Sequence, residues 1–132
     1  MLIAKMMGVV TVAAIAFAVP AHGKETTSTR IDLPASGKSG AYNGTIRGHE
    51  NAEYVFQGTA GQKLRIDMKA DNRSTFFNVV QDGKPEAIFV GSIDGNTYNA
   101  ALPGTGTYRV KVYLMRNAAR QNIRAKYELR LR

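Results

Sequence analysis

The chain of 132 residues contains no cysteine and no tryptophan, and it has only two histidines. Without cysteine it cannot be a disulfide-stapled scaffold, use a thiol nucleophile, or hold zinc or an iron–sulfur cluster through thiolates. Two histidines also argue against a metal site built from several imidazoles. We therefore expect neither a metal nor a cofactor.

The chain also lacks an apolar run long enough to span a membrane. Residues 6–19 form an apolar run that follows Lys5 and precedes small residues. A membrane-spanning helix needs about 20 apolar residues, whereas a shorter run in this setting is typical of a cleavable secretory signal. We predict a signal peptide over residues 1–23, cleaved after Ala21 or Gly23, and a periplasmic location. The mature chain would then have no membrane-inserted segment.

Acidic residues are scarce near the C-terminus. From Tyr108 to Arg132 there are eight basic residues and one acidic residue, Glu128. The rest of the predicted mature chain has equal numbers of basic and acidic residues, so most of the formal net charge of +8 lies in this segment. Six of its eight basic residues are arginines, whose planar guanidinium group matches carboxylates and phosphates.

Long helical patterns and internal repeats are absent too. Instead, apolar and polar side chains alternate along runs such as residues 64–69 and 108–114. Turn signals such as Asp82-Gly83 separate about eight of these short runs. We predict an all-β domain over residues 41–132, an antiparallel β-sandwich of about eight short strands. Residues 24–40 are rich in Ser, Thr, Gly and Lys, and we expect them to form a flexible leader.

Four of the eight C-terminal cations fall on the polar faces of predicted strands. They are Arg109, Lys111, Arg130 and Arg132. Such residues are usually solvated, and they can protect an edge strand from pairing with another chain. We interpret them as ordinary surface groups.

The segment from Met115 to Arg124 does not alternate. If it forms a helical turn, Arg116 and Arg120 lie four residues apart and face the same way, and Arg124 extends the row. Like charges on one face cost stability unless an acidic group neutralises them. That group could be an internal carboxylate, counterions from solvent, or a ligand, and the spacing alone leaves the three open.

No arrangement of residues indicates catalysis. His49 lies in a polar run between two predicted strands and has no evident partner that would orient it as a base. The serines have no nucleophile-elbow context, and the glycines form no phosphate-cradling motif. We therefore expect a binding protein and not an enzyme.

Five segments follow one another in a recognisable order along the chain. They run from Tyr42 to Gly48, Tyr54 to Phe56, Gly61 to Leu64, Leu102 to Tyr108 and Arg116 to Arg120. Together they resemble motifs of the periplasmic inhibitors of goose-type (g-type) lysozyme. The most specific segment is the last, which is similar to that family's Arg-Asn-x-Ala-Arg.

The resemblance implies a β-sandwich whose protruding loops block the muramidase cleft of g-type lysozyme and so protect the bacterial cell wall. It implies that Arg116 and Arg120 contact the lysozyme, with Asn117 in the same motif. A third functional position, which is a tyrosine in the family, falls on His49 and so departs from the pattern. The implied partner is a protein and not a nucleic acid, and we expect a monomer.

Two other functions are compatible with the sequence. A secreted β-sandwich could use its basic segment to bind an anionic envelope polymer such as peptidoglycan or lipopolysaccharide, and raised salt would weaken that binding steeply. The chain could also be an accessory domain of the kind found beside secreted peptidases. The segments from Gly61 to Leu64 and from Leu102 to Tyr108 are similar to pieces of such modules.

Overall fold

Nine strands and two short helices make up the part of the chain that the structure, a computed structural model, describes: residues 25–35 and 37–132. The predicted signal peptide, residues 1–23, lies outside the described residues. No helix among the described residues is long and apolar enough to cross a membrane. Within the same ranges, no three acidic or histidine side chains are grouped closely enough to hold a metal ion.

The elements follow the predicted runs closely. In chain order the strands are β1 Thr26–Arg30, β2 Gly40–Arg47, β3 Asn51–Gly58, β4 Lys63–Ala70, β5 Thr75–Gln81, β6 Phe89–Val90, β7 Thr97–Ala101, β8 Gly106–Leu114 and β9 Arg124–Leu131. The helices are α1 Gly91–Asp94, between β6 and β7, and α2 Arg116–Arg120, between β8 and β9.

The strands form two sheets. One has the order β1-β3-β8-β5-β6, and the other has the order β2-β9-β4-β7. The neighbouring strands pair antiparallel except for β1, which runs parallel to β3. The predicted antiparallel β-sandwich is confirmed.

The alternating side chains build the core between the sheets. Phe56 and Val110 from one sheet and Ile66 and Leu129 from the other are fully buried. Burying each such side chain contributes about 1.5–3 kcal/mol, before the entropy lost on ordering it. The core therefore holds the strands in place, and the connecting loops lie at the surface, where binding residues are most often found.

One polar contact ties the two sheets together inside the core. The hydroxyl oxygens of Tyr54 in β3 and Tyr127 in β9 lie 2.7 Å apart and share a hydrogen bond. Both side chains are buried. Burial, together with this hydrogen bond, raises the pKa of Tyr127.

The segment expected to be a flexible leader, residues 24–40, contributes β1 to the edge of the first sheet. All five side chains of β1 are exposed, so backbone hydrogen bonds attach it. The N–H of Asn51 donates to the carbonyl of Glu25 at 2.9 Å, and the N–H of Ile31 donates to the carbonyl of Val55 at 2.8 Å. Ile31 is buried. Part of the segment therefore packs as the edge of the sandwich.

Four connections cross one end of the sandwich side by side. The strands β2, β9 and β4 are neighbours in one sheet, and β3, β8 and β5 are neighbours in the other. The connections β2–β3, β8–β9 and β4–β5 therefore follow one another in that spatial order. The β6–β7 connection, which carries α1, comes next, because β6 is beside β5 and β7 is beside β4. The β8–β9 connection carries α2, so this end of the molecule holds the arginine motif.

Candidate functional site

The arginines of the motif lie on α2, the short helical turn of the β8–β9 connection. Ala118 and Ala119 are buried, whereas Arg116, Asn117 and Arg120 are exposed. Because the two alanines pack inward, the rest of the turn faces solvent. Residues four apart share a helix face, so both arginines project from the same side of α2.

The turn ends in a left-handed residue. Asn122 has a φ of 57°, a conformation that asparagine tolerates better than most residues. Its N–H donates to the carbonyl of Ala119 at 3.0 Å, and the N–H of Ile123 donates to the carbonyl of Ala118 at 3.2 Å. These bonds close α2 and lead the chain into β9.

The β2–β3 connection packs against the end of this segment. Gly48 has a φ of 62°, and its N–H donates to the carbonyl of Ile123 at 2.9 Å. A Cβ at Gly48 would lie 2.8 Å from Oδ1 of Asn122, so only glycine fits this approach without displacement. Oε1 of Glu50 accepts a hydrogen bond from the N–H of Arg47 at 2.9 Å and closes the turn.

A groove of about 600 Å³ separates the β2–β3 connection from the start of α2. Residues 48–51 line one wall, and residues 113–116 line the other. His49 and Arg116 are both exposed along it, with the 40% exposed Met115 beside them. His49 and Arg116 therefore face one groove from opposite walls, while Arg120 lies one turn further along α2.

The charge of the two motif arginines is not neutralised by a neighbouring carboxylate. Among residues 25–35 and 37–132, no carboxylate lies within 4.0 Å of Arg116 or Arg120. From the sequence, an internal carboxylate, counterions from solvent or a ligand could neutralise the charges of these arginines. Among the described residues no carboxylate does so, and the two remaining possibilities are counterions and a ligand.

The four C-terminal cations interpreted from the sequence as surface groups differ from the motif arginines, because each of them forms an ion pair. The ion pairs are Arg109 with Glu53 at 3.0 Å and with Asp82 at 2.7 Å, Lys111 with Glu53 at 3.6 Å, Arg130 with Glu128 at 3.4 Å, and Arg132 with Asp67 at 4.0 Å. The Arg109 guanidinium, by hydrogen bonding, holds the pKa of the Asp82 carboxyl below its ordinary value. These cations are balanced within the protein, in contrast to Arg116 and Arg120.

The sequence did not single out the β4–β5 connection, residues 71–74. The carbonyl of Ser74 accepts a hydrogen bond from the N–H of Met115 at 2.9 Å, so this connection borders the start of α2. Its basic residue, Arg73, is exposed, and no described carboxylate lies within 4.0 Å of it. Only the strand order brings the connection that carries Arg73 beside the connection that carries α2, and no local sequence pattern predicts that order.

No family model matches the chain. A curated relative, the inhibitor of g-type lysozyme of Escherichia coli strain K12, is 24% identical over 104 residues, which cover 77% of each chain. Aeromonas hydrophila PliG, described as a periplasmic inhibitor of g-type lysozyme, is a structural neighbour with a TM-score of 0.71 and 26% identity over 83% of this chain and 97% of that one. Salmonella Typhimurium PliG, described in the same words, has a TM-score of 0.61 and 25% identity over 80% and 96%.

The fold also occurs in a domain of a collagenase. The pre-peptidase C-terminal domain of a Bacillus anthracis collagenase matches with a TM-score of 0.60 at 19% identity, over 80% of this chain and 94% of that one, which shows a shared fold alone. The curated relative and both PliG proteins are named as inhibitors and not as enzymes. The resemblance to the periplasmic inhibitors of goose-type lysozyme that the sequence motifs indicate is thus confirmed in both sequence and fold.

Proposed function

We propose that this chain is a periplasmic inhibitor of g-type lysozyme that occludes the active-site cleft of the enzyme with arginine-bearing loops and so protects the bacterial cell wall. One observation carries the proposal. Arg116 and Arg120 project from one face of α2 without a carboxylate partner among the described residues. The relatives named as inhibitors of that enzyme supply the identity of the partner.

The chemistry of the cleft suits these side chains. An enzyme that hydrolyses glycosidic bonds uses carboxyl groups around the scissile bond. A guanidinium group can donate two parallel, charge-assisted hydrogen bonds to a carboxylate. Arg116 and Arg120 would therefore pair with acidic groups in the cleft. Inhibition needs no reaction by this protein, because a loop that occupies the cleft excludes the substrate.

The loops are ordered before binding. The Gly48–Ile123 hydrogen bond joins the β2–β3 turn to the end of α2, and the buried Ala118 and Ala119 anchor the helix to the sandwich. A preformed surface loses less conformational freedom on association, so more of the contact energy appears as affinity. His49 and Asn117 would extend the contact, since an imidazole can stack or hydrogen-bond and the amide of asparagine can do the latter.

The expected size of the effect follows from the burial of charge. Truncating one partner of a desolvated, hydrogen-bonded charge pair costs roughly 2–5 kcal/mol. This corresponds to a loss of affinity of about 30-fold or more. Arg116→Ala and Arg120→Ala should each weaken inhibition by such a factor. Because both side chains are exposed, the free energy of unfolding should change by less than about 1 kcal/mol.

A turbidity assay on a cell suspension tests the proposal. The mature protein should inhibit g-type lysozyme at a near-stoichiometric ratio, and chicken-type and invertebrate-type lysozymes in parallel measure its selectivity. Full activity of g-type lysozyme at a tenfold excess of the protein would refute the proposal. If either arginine variant unfolds, that arginine has a structural role and its assignment to the contact is wrong.

A second candidate function, binding to an anionic envelope polymer, is favoured by a different pair of residues. Arg47 and Arg124 lie directly opposite each other across β2 and β9, and both are exposed. Like charges in this position are destabilising, and an anionic ligand would relieve the repulsion. Retention of the protein on purified peptidoglycan at physiological salt, lost in Arg47→Ala, would support this function.

A further inference from the structure

The topology predicts a contact that the motifs do not mark. Neighbouring strands in a sheet lie about 4.8 Å apart, so the β2–β3, β8–β9 and β4–β5 connections span a width of roughly 10 Å. His49 lies on the β2–β3 connection, and Arg116 and Arg120 lie on the β8–β9 connection. Arg73 lies on the β4–β5 connection, on the other side of α2. A partner that covers α2 closely would also meet the connections on both of its sides.

The connection that carries Arg73 is held at both of its ends. Oδ1 of Asn72 accepts a hydrogen bond from the N–H of Ser74 at 2.8 Å. Asp71 exchanges two bonds with Lys126 of β9: its N–H donates to the carbonyl at 3.0 Å, and its Oδ1 accepts from the N–H at 2.9 Å. Arg73 is therefore presented from a fixed turn, and little backbone freedom would be lost on binding.

The same turn is linked directly to the motif. The carbonyl of Ser74 accepts from the N–H of Met115, the residue before Arg116. The position of Arg73 is thus set relative to α2 by a hydrogen bond between the two connections. Asp71, the acidic residue closest to Arg73 in the chain, uses Oδ1 for the backbone of Lys126 and forms no ion pair with Arg73.

We propose that Arg73 is a third arginine through which this protein contacts g-type lysozyme, on the side of α2 opposite His49. The group that it meets is a carboxylate on the lysozyme, because an exposed guanidinium on a fixed turn is suited to paired hydrogen bonds with that group. This inference rests on the proposed function. It widens the contact from two connections to three and adds a cation on the side of α2 opposite His49.

Charge reversal with a matched control tests the proposal. Arg73→Ala should raise the inhibition constant about tenfold, and Arg73→Glu should raise it about a hundredfold or more, since opposed like charges add repulsion to the lost contact. Arg73→Lys, which keeps the charge, should lie between Arg73→Ala and the unchanged protein. Circular-dichroism melts should show all three variants folded, because Arg73 is exposed.

The control is Lys84→Glu, which makes the same change in net charge. Lys84 is exposed on the β5–β6 connection at the opposite end of β5, a strand of seven residues, and no described carboxylate lies within 4.0 Å of it. That separation of roughly 24 Å exceeds the Debye length of about 8 Å at physiological salt. Lys84→Glu should therefore change the inhibition constant less than about twofold.

Three results would overturn the proposal. The first is an Arg73→Glu variant that inhibits as well as the unchanged protein while Arg116→Ala is weakened, which leaves the proposed function standing. The second is a Lys84→Glu variant as weak as Arg73→Glu, since the effect would then be one of net charge. The third is an unchanged protein that does not inhibit at all, which removes the proposed function together with this inference.

Discussion

Replacing Gly48 by alanine should damage both the stability and the inhibitory activity of the protein. Gly48 has a φ of 62°, where an L-residue costs roughly 1 kcal/mol. The added Cβ would lie 2.8 Å from Oδ1 of Asn122, so the turn or the asparagine must move. The clashing atom is the end of the Asn122 side chain, and moving this side chain off its rotamer costs about 1 kcal/mol. The total loss of unfolding free energy is about 2 kcal/mol.

Gly61→Ala is the matched control. Gly61 also has a positive φ, 84°, and its N–H also donates to a carbonyl, that of Leu102, at 2.8 Å. A Cβ there would meet nothing within 4 Å. Both substitutions remove the same freedom from the unfolded chain, so this contribution cancels in the comparison. Gly61→Ala should therefore lower the free energy of unfolding only by the strain of a non-glycine residue at a positive φ, about 1 kcal/mol.

Thermal denaturation and the turbidity assay together read out the difference. For a domain of this size, about 1 kcal/mol lowers Tm by roughly 5 °C, so Gly48→Ala should melt about 10 °C lower and Gly61→Ala about 5 °C lower. Gly48→Ala should also weaken inhibition about tenfold, because the displaced Asn122 side chain at the end of α2 disturbs preformed binding geometry. Equal melting temperatures and equal inhibition for the two variants would refute this reasoning.

The ion pairs and the buried tyrosines give further predictions. Arg109→Ala should lower Tm and leave inhibition unchanged, because Arg109 is bonded to Glu53 and Asp82 within the sandwich. Arg109 lowers the pKa of Asp82 from its ordinary value of 3.8, so the stability that this pair contributes is present above about pH 4 and is lost as the pH falls below that value. In melts between pH 2 and pH 7, Arg109→Ala should therefore lose less stability on acidification than the unchanged protein does. Tyr127→Phe should cost about 1 kcal/mol at neutral pH, because the hydroxyl of Tyr54 loses its partner. Since burial raises the pKa of Tyr127 above 10.0, the unchanged protein should lose stability as the pH rises above about 10. In thermal melts over the same pH range, Tyr127→Phe should lose less stability than the unchanged protein.

The sheet strands were predictable because their signal is local. In β8 and β9 every second side chain is buried, and this period of two can be read directly from the sequence. β1 carries no such signal, since Thr26–Arg30 is wholly polar and exposed and is attached through backbone hydrogen bonds. α1 has only four residues, and its buried Gly91 packs against Phe77 of β5, a contact set by tertiary structure.

The site was predictable only in part, for a similar reason. Arg116 and Arg120 lie within one helical turn, so their spacing alone predicts a shared face. Arg73 is far from them in the chain, and its position depends on β4 and β5 being the strands next to β9 and β8. The pairing of Arg109 with Glu53 and Asp82 likewise depends on strand register. Interactions that depend on pairing between distant strands are not encoded in a local pattern.

The measurement that tests occlusion of the cleft most directly is competition between this protein and a soluble oligosaccharide substrate of g-type lysozyme. If the arginine-bearing loops occupy the cleft, the apparent inhibition constant should rise in proportion to substrate concentration above KM. The double variant Arg116→Ala, Arg120→Ala should be folded and should not compete. An apparent inhibition constant that is independent of substrate concentration would show binding outside the cleft and would contradict the account.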